Sequence, residues 1–453
     1  MNSPVKENKM GVMPMGRLIL SMSVPMILSM LVQALYNVVD SVFVARYSQD
    51  ALAALSYAFP AQQLMIGVAT GTGVGVNSLL SKSLGEKNYE KANKTAANGV
   101  LLAMLGFVLF FVFGTFFAEP FIAFQTKTLA VVEAGRQYLS IVTMLSFGIF
   151  GEIIFERLMQ STGKTIYTMI TQGSGAIVNI ILDPIMIFGL LGCPQMGIAG
   201  AAYATVIGQI VAFLLAILLN HRYNTEVRLH AKNFKPDGSI IGRIYAVGIP
   251  SIIMMGIGSI MTTSMNKILN GFSDVAASVF GVYFKLQSFA FMPVFGLNNG
   301  VIPVIAYNYG AQKRKRMLHA VRLGCIIATC FMAVGILLMQ CIPAELFALF
   351  DASEEMLAIG VPALRIISIS FVFAGVCIAL SSVFQALGKG IYSMCISFAR
   401  QLVVLVPAAY LLSLSGNVNA VWWSYPIAEI ASITVSLLFF RHVYKTIIAK
   451  IPE

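Results

Sequence analysis

Gln160-Ser161-Thr162-Gly163-Lys164 returns as Gln385-Ala386-Leu387-Gly388-Lys389, 225 residues further along a chain of 453. Outward from that pair, the same offset joins Gly85 to Gly310, Gly75 to Gly300, Gly71 to Gly296 and Pro25 to Pro250. Glycine is common in this sequence, so one match carries no weight. A single offset held from Pro25 to Lys164, 139 residues, does carry weight, and the chain is a duplication.

Each copy is built from apolar blocks of roughly 20 residues or more, the length that crosses ~30 Å of hydrocarbon. Twelve can be marked: 17–43, 51–80, 93–115, 132–160, 164–191, 197–220, 241–270, 276–308, 316–342, 356–387, 390–414 and 418–441. Dense Leu, Ile, Met and Ala without period-two alternation make these helices, not barrel strands. Composition agrees: 58% of residues are apolar, 11% are charged, and mean hydropathy is +0.83. A soluble domain carries about 25% charged residues.

The expected fold is an all-α integral membrane protein of twelve transmembrane helices. An even-numbered repeat enters and leaves on one side, so the two six-helix halves are related by a pseudo-two-fold axis along the membrane normal. Residues 1–220 form the first lobe, 221–240 a cytoplasmic linker and 241–453 the second lobe. The first sixteen residues are polar and the first apolar block is long enough to span, so it is expected to remain as helix one and not to be cleaved.

The net charge of +11 does not signal nucleic acid, because of where the charges fall. On the side of the amino terminus lie 22 of the 30 basic residues, among them Lys6, Lys82, Lys164, Lys232 and the run Lys313-Arg314-Lys315-Arg316. Arg46, Lys127, Arg136 and Lys267 fall on the other side. This asymmetry places both termini in the cytoplasm and lets the basic run touch anionic headgroups of the bilayer. No CxxC spacing occurs among the six cysteines, and all four histidines lie in or beside loops, which argues against a disulfide framework or an intramembrane metal centre. Gly163-Lys164-Thr165 resembles the end of a phosphate-binding loop, but Leu158 stands where its first glycine belongs.

Chemistry should reside in the ionisable residues inside hydrocarbon, which are costly and usually functional. In the first half these are Asp40, Glu152, Glu156 and Asp183 against Arg157; in the second, Glu429 against Lys285, Arg365 and Arg400. Gln33, Tyr36, Asn37 and Asp40 form a stripe on span one; Gln172, Asn179 and Asp183 share a face of span five, as do Thr205 and Gln209 on span six. At ~1.5 Å per residue, Asp40, Asp183 and Thr205 all reach the outer half of the bilayer. Together with Asn179 they can hold a proton between carboxylates or an oxygen-coordinated Na⁺; a polar network that merely locks three helices is the alternative. Glu156 and Arg157 are expected as a pair near the headgroups, with Glu152 deeper. Candidate substrate contacts are Gln33, Tyr36, Asn37, Tyr138, Glu152, Phe284 and Met292, since rings and thioethers adapt to varied apolar ligands.

Taken in order, Pro25, Asp40-Ser-Val-Phe-Val-Ala-Arg46, Gly75, Gly85, Gln-x-x-Gly-Lys, Asn179-x-x-x-Asp183-Pro184 and Gly200-Ala-Ala-x-Ala-Thr205 resemble the multidrug and toxic compound extrusion (MATE) transporters. The resemblance runs from about residue 15 to 440. It implies a monomeric antiporter, not an enzyme, with no cofactor, exporting small amphipathic cations against H⁺ or Na⁺. It also implies ion coupling at Asp40, Asn179, Asp183 and Thr205, the same four serving as metal ligands if the ion is Na⁺, and bending at Pro25. Members that couple through acids in spans seven and ten are not matched here, because neither span carries one. A lipid-linked oligosaccharide flippase of the same superfamily is the rival, on the strength of Lys285, Arg365 and Arg400. An intramembrane enzyme or a purely structural subunit would need features this sequence does not show.

Overall fold

The computed structural model describes residues 7–230, 233–350 and 352–452, so Lys6 and Lys232 of the charge asymmetry lie outside the described residues. After a short α1 (Lys9–Val12) come α2 (Met15–Tyr47), α3 (Gln49–Gly85), α4 (Tyr89–Phe116), α5 (Ala118–Ala123), α6 (Leu129–Met144), α7 (Phe147–Ser161), α8 (Thr165–Phe188) and α9 (Ile198–Tyr223). The second lobe follows with α10 (Gly238–Asn270), α11 (Asp274–Gly310), α12 (Arg314–Cys341), α13 (Pro343–Ala348), α14 (Glu354–Ser368), α15 (Phe371–Ala386), α16 (Gly390–Phe398), α17 (Val406–Ser413), α18 (Val418–Trp422) and α19 (Ser424–Thr446). The bounds of α3, α4 and α5 recur in α11, α12 and α13 at the offset of 225, residue for residue at both ends. The repeat is therefore carried by helix ends as well as by glycines.

Among the described residues, ten helices are long and apolar enough to span, with Gly390–Ser413 (α16 through α17) taken as one, and two bent pairs raise the number to twelve. Those pairs correct the sequence reading, which made 132–160 and 356–387 continuous. Helix α6 meets α7 at 44°, and α14 meets α15 at 50°. Neither break has a proline or glycine; Leu145 (φ −103°, ψ 20°) leaves helical geometry at the first. Most of the other spans also run a few residues past the marked blocks.

Helices α2 and α3 of the first lobe meet α10 and α11 of the second along a seam confined to the half nearer the amino-terminal segment. Glycines make it. A Cβ on Gly71 would lie 2.8 Å from the Gly248 carbonyl and one on Gly296 2.6 Å from Ile27 Cα. On Gly75, Gly85 and Gly310 it would strike the carbonyls of Ile244, Tyr307 and Lys82. From Gly71 to Ser81 every residue of α3 is buried, whereas Phe59 and Leu64 in its other half are 55% and 56% exposed. The lobes thus close at one end and part toward the other.

Across the closed end runs the amino-terminal segment. Asn8 Nδ2 donates to the Thr162 carbonyl (3.0 Å) and to Glu226 (2.7 Å) on the first-lobe side. Asn308 Nδ2 and Arg316 Nη2 donate to the Met10 carbonyl, Arg316 also to the Met13 carbonyl (2.7 Å), and Lys313 pairs with Glu7 (2.7 Å) on the second. Met10 is fully buried between them. A polar tail on paper is a strap in the structure.

Pro25 lies inside an uninterrupted α2 and frees the Ser21 carbonyl four residues back. Thr165 Oγ1, at the start of α8, donates to that oxygen at 3.1 Å. Its counterpart in the second lobe, Gly390, has no hydroxyl to offer the Ala246 carbonyl freed by Pro250. Thr165→Val should therefore destabilise the protein by about 1–3 kcal/mol, the cost of one buried unsatisfied acceptor. A thermal melt in detergent checks this; an unchanged melt would show that α2 relaxes to re-satisfy Ser21.

Candidate ion site in the first lobe

Asp40 reaches the site from the outer part of α2, Asn179 and Asp183 from one face of α8, and Thr205 from α9. These helices approach closely because Gly175 and Gly208 face each other: a Cβ on Gly175 would sit 3.0 Å from the Gly208 carbonyl. Asp183 is fully buried, Asn179 is 3% exposed, Thr205 6% and Asp40 9%. Asn179 Nδ2 donates to both Asp183 Oδ1 and Thr205 Oγ1, each at 3.3 Å. The carboxyl groups of Asp40 and Asp183 stand within hydrogen-bonding reach of one another.

The acceptors outnumber the donors. Asp40 Oδ1, Asp183 Oδ2, Asn179 Oδ1 and, one turn along α9, Gln209 Oε1 are buried with no hydrogen-bond partner. No lysine, arginine or histidine pairs with either aspartate among the described residues. Two facing carboxylates in a low dielectric call for a shared proton or a cation. The four sequence candidates are thus brought together, and their chemistry suits H⁺ or an oxygen-liganded Na⁺.

The candidate substrate contacts divide. Tyr36 lies in electrostatic reach of Glu152, Asp40 and Asp183, joining the stripe on α2 to the acids. Tyr138 is 1% exposed and donates to Gln62 Oε1 (3.3 Å), a partner outside every polar stripe marked in the sequence. Gln33 is half-buried, Asn37 exposed, and Glu152 buried on α7. Phe284 is 42% exposed and Met292 half-buried on α11, in the other lobe and apart from the acids.

The expected Glu156–Arg157 pair is corrected. Both are buried, and they turn to different partners. Glu156 accepts from Thr171 Oγ1 (2.7 Å) and Gln172 Nε2 (2.8 Å) of α8. Arg157 donates to Gln160 (2.8 Å) and, across the seam, to Asn299 of α11 (3.2 Å). Two adjacent side chains on a helix diverge, so hydrogen bonds from neighbouring helices decide. Of the second-half bases, Arg400 alone pairs with Glu429 (2.7 Å); Lys285 lies over the Phe350 ring (5.7 Å), and Arg365 is exposed.

Known proteins agree with this architecture. The multidrug export protein MepA of Staphylococcus haemolyticus (strain JCSC1435) is 24% identical over 408 residues, covering 90% of this chain and 89% of its own. MepA of Staphylococcus aureus (strain NCTC 8325 / PS 47) is 24% identical over 428 residues, covering 92% and 91%. Among solved structures, the outward-facing conformation of a multidrug resistance MATE family transporter of the MOP superfamily superposes with a TM-score of 0.92 at 23% identity, over 98% of this chain and 99% of that one. A MOP superfamily transporter from Pyrococcus furiosus Vc1 (DSM3638), whose reverse polarity of binding pocket suggests a different function, superposes with a TM-score of 0.91 at 23% identity over the same shares. At that identity the likeness shows the fold alone. The MatE family profile matches twice, at residues 25–185 and 250–411, once for each six-helix repeat, and with this the chain is a member of the MatE family of membrane transporters.

Proposed function

We propose that the chain is a secondary active multidrug exporter that expels small amphipathic cations in exchange for H⁺ or Na⁺ by alternating access. Lobes 1–220 and 241–453, joined by the linker 221–240, rock about the substrate path between them. The carrying observation is the set of buried, donorless oxygens on Asp40, Asn179 and Asp183, which a proton or Na⁺ would satisfy. The relatives' role as multidrug export proteins supports the substrate class. The first lobe's buried charge is negative and the second's balanced at Arg400–Glu429, which favours cations at the first lobe's wall. The test is efflux of a fluorescent cation from everted vesicles with a proton gradient or a sodium gradient imposed separately. Drive by neither gradient would overturn the antiport reading.

The basic asymmetry puts the closed end of the seam, with Lys313 and Arg316, in the cytoplasm. A variant keeping only Cys193, which is exposed, should react with an impermeant thiol reagent on intact cells. A single cysteine placed by Lys315→Cys should not react. The reverse pattern would invert the orientation and turn export into import.

A further inference from the structure

The second lobe has its own buried polar cluster at the place that mirrors the ion site. Helix α16, its π-helical continuation Ala399–Leu405 and α17 repeat α8, and α18 with α19 repeats α9. Counted from the first helical residue, Ile198 or Val418, Tyr425 stands where Thr205 does and Glu429 where Gln209 does. At the offset of 225, the places of Asp40, Tyr138 and Glu152 are taken by Met265, Ala363 and Cys377, so no carboxylate remains there. The second lobe's one acid at this level, Glu429, is matched by a base of its own.

Arg400 Nη1 donates to Glu429 Oε1 at 2.7 Å, with the two side chains 26% and 8% exposed. Arg400 lies in the π-helical turn, a distortion of a kind often found at functional sites. Around the pair, Tyr283 and Tyr425 are 1% and 7% exposed, their rings set edge to face with centroids 5.6 Å apart. Tyr283 is in electrostatic reach of Tyr425, Glu429 and Arg400. Glu429 Oε2 and both tyrosine hydroxyls are buried without a hydrogen-bond partner. Oxygen ligands for a cation are thus assembled here too, and a guanidinium already occupies the carboxylate. Among the described residues, the first lobe's ion cluster holds two acids, Asp40 and Asp183, with no base paired to either, whereas the second lobe's cluster holds one acid and its counter-charge.

We infer that Arg400 is a tethered cation standing in for the exchangeable ion in the second lobe, so that only the first lobe loads and unloads an ion during the cycle. This rests on the reading of Asp40 and Asp183 as the exchanging site. Arg400 is a positioning residue: it holds Glu429 neutralised and inert in both halves of the cycle. Without it, Glu429 and the two tyrosine hydroxyls would accept a proton or Na⁺ from the aqueous side.

The experiment follows the emission of Trp422, fully buried in the same helix pair as Glu429, in the full-length purified protein with its exposed neighbour removed by Trp423→Phe. Na⁺ is titrated at fixed pH and pH at fixed Na⁺. In an Asp40→Asn/Asp183→Asn background no saturable response is expected. Adding Arg400→Gln should restore one, and adding Glu429→Gln as well should abolish it. A response in the double-aspartate background that vanishes with Glu429→Gln alone would overturn the inference, because the second lobe would already exchange ions. A response there that ignores Glu429 would overturn the first-lobe reading instead, and this inference with it. Arg400→Gln strands a buried carboxylate and can fail to fold, so Arg400→Gln/Glu429→Gln in the otherwise unaltered protein is the second arm. Ion-driven efflux by this neutral pair should stay within about twofold of the parent, as for a site outside the ion cycle. Loss of ion drive by a folded neutral pair that still binds substrate would also overturn the proposal.

Discussion

Asp183→Asn and Asp40→Asn, each alone, should cut gradient-driven efflux to the level of vesicles lacking the protein. An amide matches the carboxyl in volume and can still hydrogen-bond Asn179, so the helices should pack and the protein insert. It cannot carry a proton and does not neutralise a cation. Asp183 is the better enclosed of the two, being fully buried and held by Asn179 at 3.3 Å. Asn179→Ala should be milder, since it removes the donor that orients Asp183 and Thr205 but neither carboxylate. Efflux of a fluorescent cation, with each variant's folding checked by gel filtration, decides the matter. Near-normal efflux by both aspartate variants would leave the cluster as a network that holds α2, α8 and α9 together.

Gly75→Val should be comparably damaging by a different route. A Cβ at Gly75 runs into the backbone carbonyl of Ile244, which has no rotamer to escape into. Overpacking of this kind costs about 1–3 kcal/mol. In the alternating-access reading proposed above, the contact exists only while the lobes are closed at this end, so the cost falls on one of two states and shifts their ratio roughly 5–150-fold. Ser23 Oγ donates to the Leu297 carbonyl at 3.4 Å elsewhere on the seam. With the six native cysteines replaced, Ser23→Cys and Leu297→Cys should cross-link readily in the parent and slowly with Gly75→Val. Unchanged cross-linking with unchanged transport would mean the seam yields without separating.

How much of this is legible in the sequence depends on range. Apolar length and a fixed offset are local or periodic properties, and they yield the spans and the duplication. The stripe Gln33–Asp40 and the face Asn179–Asp183 follow from helical spacing, which is why the ion cluster can be assembled before any coordinates. The breaks at Leu145–Ser146 and after Ser368 leave no such trace, since nothing there forbids a straight helix; packing against neighbours bends them. The fate of Glu156 and Arg157 depends on Thr171, Gln172 and Asn299, reached through tertiary contacts. Arg400 pairs with Glu429, 29 positions away on another helix, from a π-helical turn that departs from the spacing the sequence pattern assumes. Asn8 and Met10 sit in a stretch whose polarity hides that it packs against both lobes.

That strap bears on how the protein can be handled in the laboratory. Its contacts reach Thr162 and Glu226 on one side and Asn308, Lys313 and Arg316 on the other, so under the alternating access proposed above it would not keep them all when the lobes part at this end. Outside the membrane, the Lys313 ammonium beside Glu7 holds that carboxyl below the usual range; this pair therefore persists at neutral pH and weakens only as acid is added. The carboxyl-terminal end differs: Ile448 and Ile451 are buried just beyond α19, and the turn Ile448–Lys450 packs back against that helix. In the alternating-access reading, an affinity tag or fluorescent fusion at the amino terminus hangs a load on contacts that must break and re-form, and activity measured with it reports the load as well as the transporter. The same fusion at the carboxyl terminus follows a segment packed on α19.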